Sequence, residues 1–263
     1  MTNQIHKTAI IEDGAKIGEN VTIGAYSIIG KDVSIGNGTI IKPHVVIEGI
    51  TQIGENNTIF QFASIGSVPQ DLKFGGEPSR TIIGNNNNIR EFVTIHAGTK
   101  SGIMETRIGN GCLVMAYCHI AHDCVVKNNV VLANNATLAG HVVVEDNVVI
   151  GGLSAIHQFV RIGTGAMIGG MSGVESDVIP YGAVMGERAN LAGLNLIGLK
   201  RQNLEKSDIN SLRAFYKELF NKDGKNFSQK IDELSPKYQS GKLSKQVIDF
   251  LKSESVRSFC QPK

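Results

Sequence analysis

Ile17-Gly18-Glu19-Asn20-Val21-Thr22-Ile23-Gly24-Ala25-Tyr26-Ser27-Ile28-Ile29 decides the architecture. Ile17, Ile23 and Ile29 stand six residues apart, a glycine often follows the marker, and the fifth position of the hexad (Val21) is small or β-branched. Followed outward, the register holds through eleven hexads from Ile5 to Ile65, resumes at Ile83, Ile89 and Ile95, and holds through twelve more from Ile108 to Val174. A period of six is neither that of an amphipathic helix nor that of an alternating strand. It fits short strands meeting at tight corners, with the first and fifth positions of each hexad turned inward. Three sides close a coil of 18 residues, and coils stack at the strand spacing of roughly 4.8 Å. The chain therefore reads as all-β, a parallel β-helix over residues 1–190. Asn85–Asn88 and Asn128-Asn129 suit corners that need left-handed backbone.

The two interruptions read as loops thrown outward, near 71–82 and 101–107. Loops on a rigid scaffold are where binding residues concentrate. After Pro180 the repeat fades. A helical stripe begins at Ser207, with Asp208 as cap and Ile209, Leu212, Phe215, Tyr216, Leu219 and Phe220 on one face. Shorter helical segments near 228–235 and 243–258 complete a small C-terminal α-helical domain over 191–263, which has a physical purpose in covering the open strand edges at the end of the coil.

The net charge of +2 hides an asymmetry: residues 1–190 carry a net of −4, residues 191–263 a net of +6. A basic tail suggests an acidic partner; nucleic acid is the default alternative, but no nucleic-acid motif is present. Met1–Thr8 is polar with no apolar run behind it, and no stretch approaches 18 apolar residues, so neither a secretion signal nor a membrane span is expected. Cys112, Cys118 and Cys124 all fall on the inward fifth position, which makes an internal ladder rather than nucleophiles, a disulfide framework or a zinc site. Cys260 falls at an expected helix end. A reduced, cytoplasmic protein is the simplest reading.

All seven histidines lie outside the inward positions. Coil arithmetic places Asp123 one coil from His141, His122 one coil from Gly140, and His157 one coil from Ala139. Correcting for the second loop puts His96 one coil below Ala121. His96, His122, His141 and His157 thus share one strip, with His119 near its end. A neutral imidazole beside a nucleophilic oxygen can take its proton. His122 has Asp123 next to it to fix its tautomer, and Gly140 leaves a backbone N–H approachable, as an oxyanion donor must be. No histidine spacing resembles that of the zinc-holding carbonic anhydrases of this architecture, and no metal is expected.

The stretches Gln61-Phe62-Ala63-Ser64-Ile65-Gly66, Gln70-Asp71-Leu72-Lys73, His119-Ile120-Ala121-His122-Asp123-Cys124 and Leu132-Ala133-Asn134-Asn135-Ala136-Thr137-Leu138-Ala139-Gly140-His141 resemble the bacterial acyl-[acyl-carrier-protein]–UDP-N-acetylglucosamine O-acyltransferases. Ala155-Ile156-His157-Gln158-Phe159 and Gly198-Leu199-Lys200-Arg201 do so too. The likeness runs over essentially the whole chain. It implies a left-handed coil, a break with the usual right-handed crossover. It further implies a cytoplasmic homotrimer that moves an R-3-hydroxyacyl chain from acyl carrier protein to the 3-OH of UDP-N-acetylglucosamine, the first step of lipid A biosynthesis, with each site between two neighbouring coils. No cofactor is implied beyond the phosphopantetheine on the carrier protein.

By the same resemblance His122 is the general base, Asp123 its orienting acid and Gly140 the amide facing the thioester carbonyl. Asp71, Lys73, His119, His141, His157 and Gln158 match substrate contacts, while Asn195 and Arg201 match contacts to the nucleotide. Lys200, Arg201, Lys206, Arg213 and Lys217 are candidate contacts for the acidic carrier protein, on charge and position. Gln202 and Ile197 depart from charged residues of some relatives, and Gly170, with Arg188 nearby, stands where a bulky residue closes the acyl groove in others, which implies room for a long chain. The alternatives are N-acylation of a UDP-amino sugar, including a 3-amino analogue, and acetyl transfer from coenzyme A. The N-acylating sibling usually carries an extra uridine-binding domain, for which hexads beginning at Ile5 leave no room.

Overall fold

The computed structural model describes residues 2–202 and 204–263. Up to Val174 the chain is a succession of strands mostly two residues long, each pairing in parallel with its counterpart one coil on, as in Thr22↔Ile40 and Ile23↔Ile41. The strands form three sheets of 11, 9 and 8 among the described residues, the three walls of a prism. Ile29, Ile41, Ile47, Ile59, Ile65, Ile89 and Ile95 are fully buried, as are Val21, Val45, Val93 and Val130 at the fifth position. The hexad is thus a core pattern: two side chains in six point inward, and identical positions stack into ladders. Cys112, Cys118 and Cys124 sit in this core with their thiols on backbone carbonyls. Burial pushes Cys118 up to about 11 and Cys124 up to about 12, so neither offers a thiolate.

Most corners turn through a left-handed residue. One edge uses Asn20, Asn56, Asn86, Asn129 and Asn147; a second uses Tyr26, His44, Phe62, Phe92 and Tyr117; a third uses Asp123, His141 and Phe159. Left-handed backbone costs a non-glycine residue about 1–2 kcal/mol. On the second edge that cost is offset by a continuous stack of rings with centroids 4.7 to 5.2 Å apart, a spacing set by the coil and worth about 0.5–1.5 kcal/mol per pair. His44 belongs to this stack rather than to any histidine cluster.

Both loops are shorter than the spacing of markers suggests. The first ends at Ser79, because Arg80–Ile83 is strand, paired with Ile50–Ile53 on one side and Glu105–Ile108 on the other. The second ends at Met104 for the same reason. The wall tolerates residues without an apolar marker as long as their backbone finds ladder partners, and Thr81 and Thr106 fill the inward position. The loops are tied together by Glu77, which accepts from Lys100 N at 2.8 Å.

The boundary expected at 190 falls inside an antiparallel hairpin, Gly182–Met185 with Asn190–Leu194, that closes the 11-stranded sheet. Four helices follow among the described residues: α1 (Leu196–Arg201), α2 (Lys206–Leu219), α3 (Phe227–Tyr238) and α4 (Lys242–Lys252). Leu212, Phe215 and Leu219 of α2 pack with Ile231 of α3 and Leu243, Val247 and Leu251 of α4. Asp208 lies in the first turn of α2, and Glu205 is the N-cap.

The helix expected over 243–258 stops at Lys252, and the chain then runs extended back onto the coil. Asp177 N donates to Ser258 O, Cys260 N donates to Asp177 O, and Cys260 is buried there, not at a helix end. No helix is long and apolar enough to cross a membrane among the described residues.

Candidate active site

The third edge gathers the site. Asp123 is buried at its left-handed corner, and its backbone N–H donates to Thr106 Oγ1 at 2.9 Å. Its carboxylate accepts from Thr99 N, from Thr99 Oγ1 at 2.6 Å and from Ile103 N at 3.0 Å, so the second loop folds over it. A Cβ at Gly102 would lie 2.2 Å from Asp123 Cγ, which shows how closely the loop approaches. The remaining acceptor site meets His122 Nδ1 at 2.9 Å. Burial alone would raise the Asp123 pKa, but the Thr99 and His122 hydrogen bonds, with His141 nearby, outweigh it and hold the carboxyl below its ordinary value.

An ionised Asp123 can only accept, so His122 carries its hydrogen on Nδ1 and presents a bare Nε2. That nitrogen faces Gly140: a Cβ there would sit 2.6 Å from Nε2 and 2.5 Å from Cε1. No acceptor among the described residues takes the Gly140 N–H. His141 crosses the His122 ring edge-on at 4.9 Å and stacks flat on Phe159 at 4.4 Å. On the other side His119, held by Thr94 Oγ1 at 2.7 Å, meets His96 edge-on at 4.8 Å. His96 and His122 are buried although their positions point away from the core, because loop and neighbouring coils cover them.

Burial and the neighbouring imidazoles lower His96 to about 4. Burial, then His122, lowers His119; burial lowers His141 against the opposing pull of Asp123 and Asp71. Three neutral imidazoles around a fourth give the region hydrogen-bonding groups without fixed charge. His122, Asp123 and His141 could together offer a cation three ligand atoms within 4.8 Å of one another. Yet the Asp123 oxygens are already filled by loop donors and His122, so a metal would have to dismantle the dyad.

The other expected site residues are more dispersed. Asp71 caps its own turn, accepting from Lys73 N at 3.0 Å, and its charge reaches His141; Lys73 is exposed on the same loop. His157 and Gln158 lie one coil beyond Gly140, next to Phe159, whose N–H donates to Gly140 O. Asn195 is the N-cap of α1, accepting from Gly198 N and donating to Gly165 O, at the asparagine edge of the prism. Arg201 ends the same helix. Neither is brought to the histidines within one chain. Gly170 is exposed at a corner; Arg188 pairs with Glu175 at 2.6 Å in a hairpin turn whose Ala189 N donates to Gly173 O.

Sequence reasoning missed Thr99, Ile103 and Arg257. The guanidinium of Arg257 lies on His157 and Gln158. The second interruption of the repeat signalled the loop that carries Thr99 and Ile103; nothing signalled Arg257.

The family description "Udp N-acetylglucosamine O-acyltransferase; Domain 2" matches residues 177–260, and that of the bacterial transferase hexapeptide, six repeats, matches 14–49 and 105–140. The acyl-[acyl-carrier-protein]–UDP-N-acetylglucosamine O-acyltransferase of Campylobacter concisus is 45% identical over 98% of this chain and 93% of its own length. The chain belongs to the UDP-N-acetylglucosamine O-acyltransferase family.

Solved structures agree with that membership. The Acinetobacter baumannii acyltransferase superposes with a TM-score of 0.94 at 44% identity, covering 98% of this chain and 99% of that one. The Campylobacter jejuni UDP-N-acetylglucosamine acyltransferase gives 0.92 at 41%, covering 99% and 100%. The coil is the left-handed β-helix of this family, followed by its α-helical domain. The protein is an acyltransferase.

Proposed function

We propose that this acyltransferase moves an R-3-hydroxyacyl chain from the phosphopantetheine thioester of acyl carrier protein to the 3-OH of UDP-N-acetylglucosamine, the first step of lipid A biosynthesis. The carrying observation is the pair formed by His122 Nε2, bare and facing Gly140, and the Gly140 N–H, which no acceptor among the described residues takes. His122 takes the proton of the sugar hydroxyl as its oxygen attacks the thioester carbonyl. The tetrahedral oxyanion is met by the Gly140 amide. On collapse the C–S bond breaks, and the His122 imidazolium returns the proton to the leaving thiolate. Asp123 stabilises that imidazolium without taking the proton.

Asp71, Lys73, His119, His141, His157 and Gln158 are read as substrate contacts, and Gly170 and Arg188 as the end of the acyl groove. Asn195 and Arg201 would reach the nucleotide from a second copy, because they stand at a different edge of the prism from His122. Residues from two edges serving one cleft fit three coils around a three-fold axis, a homotrimer. The basic face around Lys200, Lys206 and Arg213, which lines a cavity of about 270 Å³ with Leu196 and Ile209, fits an acidic carrier protein. The expected location is the cytoplasm.

The test is steady-state acyl transfer, with the product read by mass spectrometry. His122→Ala should lose about 2–4 kcal/mol of transition-state stabilisation. Retention of more than a tenth of wild-type kcat/KM, or no ester product from the wild type with any 3-hydroxyacyl donor, overturns the assignment.

A further inference from the structure

The segment after α4 does more than finish the helical bundle. Residues 253–261 lie as a strap along the end of the coil, held chiefly through Asp177, which is fully buried. Its carboxylate accepts from Arg161 N, from Arg161 Nε at 2.7 Å and from Ser255 Oγ at 2.6 Å. Arg161 in turn reaches Ser253 Oγ at 2.6 Å and lies over the Phe250 ring. Ser255 Oγ also accepts from Arg257 N at 3.0 Å, which sets the turn that aims the Arg257 side chain back at the coil. There the guanidinium forks: Nε donates to the carbonyl of Gln158 at 2.9 Å and Nη2 to His157 Nδ1 at 2.6 Å.

We propose that Arg257 is a positioning residue for acyl transfer, acting through His157. An arginine has donors and no acceptor. The nitrogen it touches must therefore be the unprotonated one, so His157 is held with its hydrogen on Nε2. Its orientation is fixed as well, because the second prong grips the carbonyl of the next residue. His157 consequently presents an N–H donor away from the strap, toward a ligand acceptor oxygen such as a hydroxyl, carbonyl or phosphate oxygen. His122 is tautomer-fixed by an acceptor, Asp123, and offers a lone pair. His157 is fixed by a donor, Arg257, and offers a hydrogen. The same side chain serves opposite roles because its partner has the opposite hydrogen-bonding character. The inference rests on the reading of His157 as a substrate contact, and it links the segment beyond the helices to the chemistry on the coil.

The test has two arms. In protein labelled with ¹⁵N only at histidine, two-bond correlation spectra should show His157 as a single neutral tautomer with bare Nδ1. Arg257→Met should turn that signal into a tautomer mixture. Arg257→Lys keeps the charge but cannot fork, and should give the same mixture with an unchanged melting temperature. It carries the test should Arg257→Met loosen the strap.

In the kinetic arm, Arg257→Lys should lower kcat/KM about tenfold, and His157→Ala combined with Arg257→Lys should be no worse than His157→Ala alone. Independent, multiplying losses, or a wild-type His157 of mixed tautomer, overturn the role of Arg257. Full activity in His157→Ala, with the wild-type His157 in its single tautomer, overturns instead the reading of His157 as a substrate contact.

Discussion

Gly140→Ala is a one-atom-group probe of the proposed base, His122. The backbone there is not in the left-handed region, so alanine fits its conformation. The added Cβ would lie 2.5 Å from His122 Cε1, 2.6 Å from Nε2 and 3.1 Å from Nδ1. Carbon contacts settle at about 3.5 Å, so the ring must retreat by about 1 Å. It has little freedom to do so, being pinned by the 2.9 Å bond to Asp123 and crossed by His141.

A misplacement of about 1 Å costs on the order of 100-fold in rate, or about 2.7 kcal/mol. The overpacking itself costs about 1–3 kcal/mol of stability. Initial rates with UDP-N-acetylglucosamine and a 3-hydroxyacyl carrier protein should show the loss in kcat, with KM for the sugar nucleotide changed less than about threefold, since the clash meets the base and not the nucleotide. A melt by circular dichroism separates the two effects. Gly140→Ala retaining more than a third of wild-type kcat/KM at a temperature where it is fully folded would refute the account of His122 as hemmed in and position-dependent.

Thr99→Val keeps the buried shape but removes the 2.6 Å hydroxyl donor to Asp123; a hydrogen bond to a charged group is worth about 1.5–3 kcal/mol, so the urea midpoint should fall accordingly and kcat about tenfold. If both stay put, Thr99 does not hold the dyad. His96, lowered to about 4 chiefly by burial, gives a pH dependence of known sign. Above its ordinary pKa of about 6.5 both folded and unfolded states are neutral there; between 6.5 and 4 only the unfolded chain takes the proton, so stability falls with pH, by up to about 3 kcal/mol. His96→Phe should flatten that slope between pH 7.5 and 4.5, and an unchanged slope contradicts the burial. The KM for the acyl-carrier donor should rise about tenfold between 0.05 and 0.5 M salt as screening shortens; a KM indifferent to salt would remove the basic helical face as the docking surface.

The coil was legible because its information is one-dimensional. A marker every six residues at Ile17, Ile23 and Ile29 commits each side chain to the inside, the wall or a corner, and neighbours in space become neighbours in arithmetic. That is why His122 against Gly140 and Asp123 beside His141 are readable from the sequence. The loop limits were not, because Arg80–Ile82 and Glu105–Arg107 join the wall through backbone hydrogen bonds and inward threonines, which the apolar marker does not record. The donors on Asp123 were hidden for a related reason. Thr99 N and Ile103 N are main-chain groups, identical in every sequence, and only the path of the loop aims them. The strap was beyond reach because Arg257 and His157 are 100 residues apart and belong to no common period.

The corner positions explain why the site sits where it does. Asp123 and His141 occupy the left-handed residue of their turns, with φ of 59° and 63°, the position that asparagine fills along another edge. A strand residue alternates in and out and is committed to its wall; a corner residue projects from the prism edge, where two walls and an outward loop meet. At such a point a carboxylate can collect donors from the loop and the neighbouring imidazole at once. Each corner costs about 1–2 kcal/mol in backbone strain, and the four charge-assisted hydrogen bonds on Asp123 exceed that. The strain is therefore sustained by the loop, not by the coil. A coil that lost residues 99–104 would keep its ladders of isoleucine and lose the orientation of His122, so under the proposed mechanism the insertion that breaks the repeat is what turns a structural corner into a catalytic one.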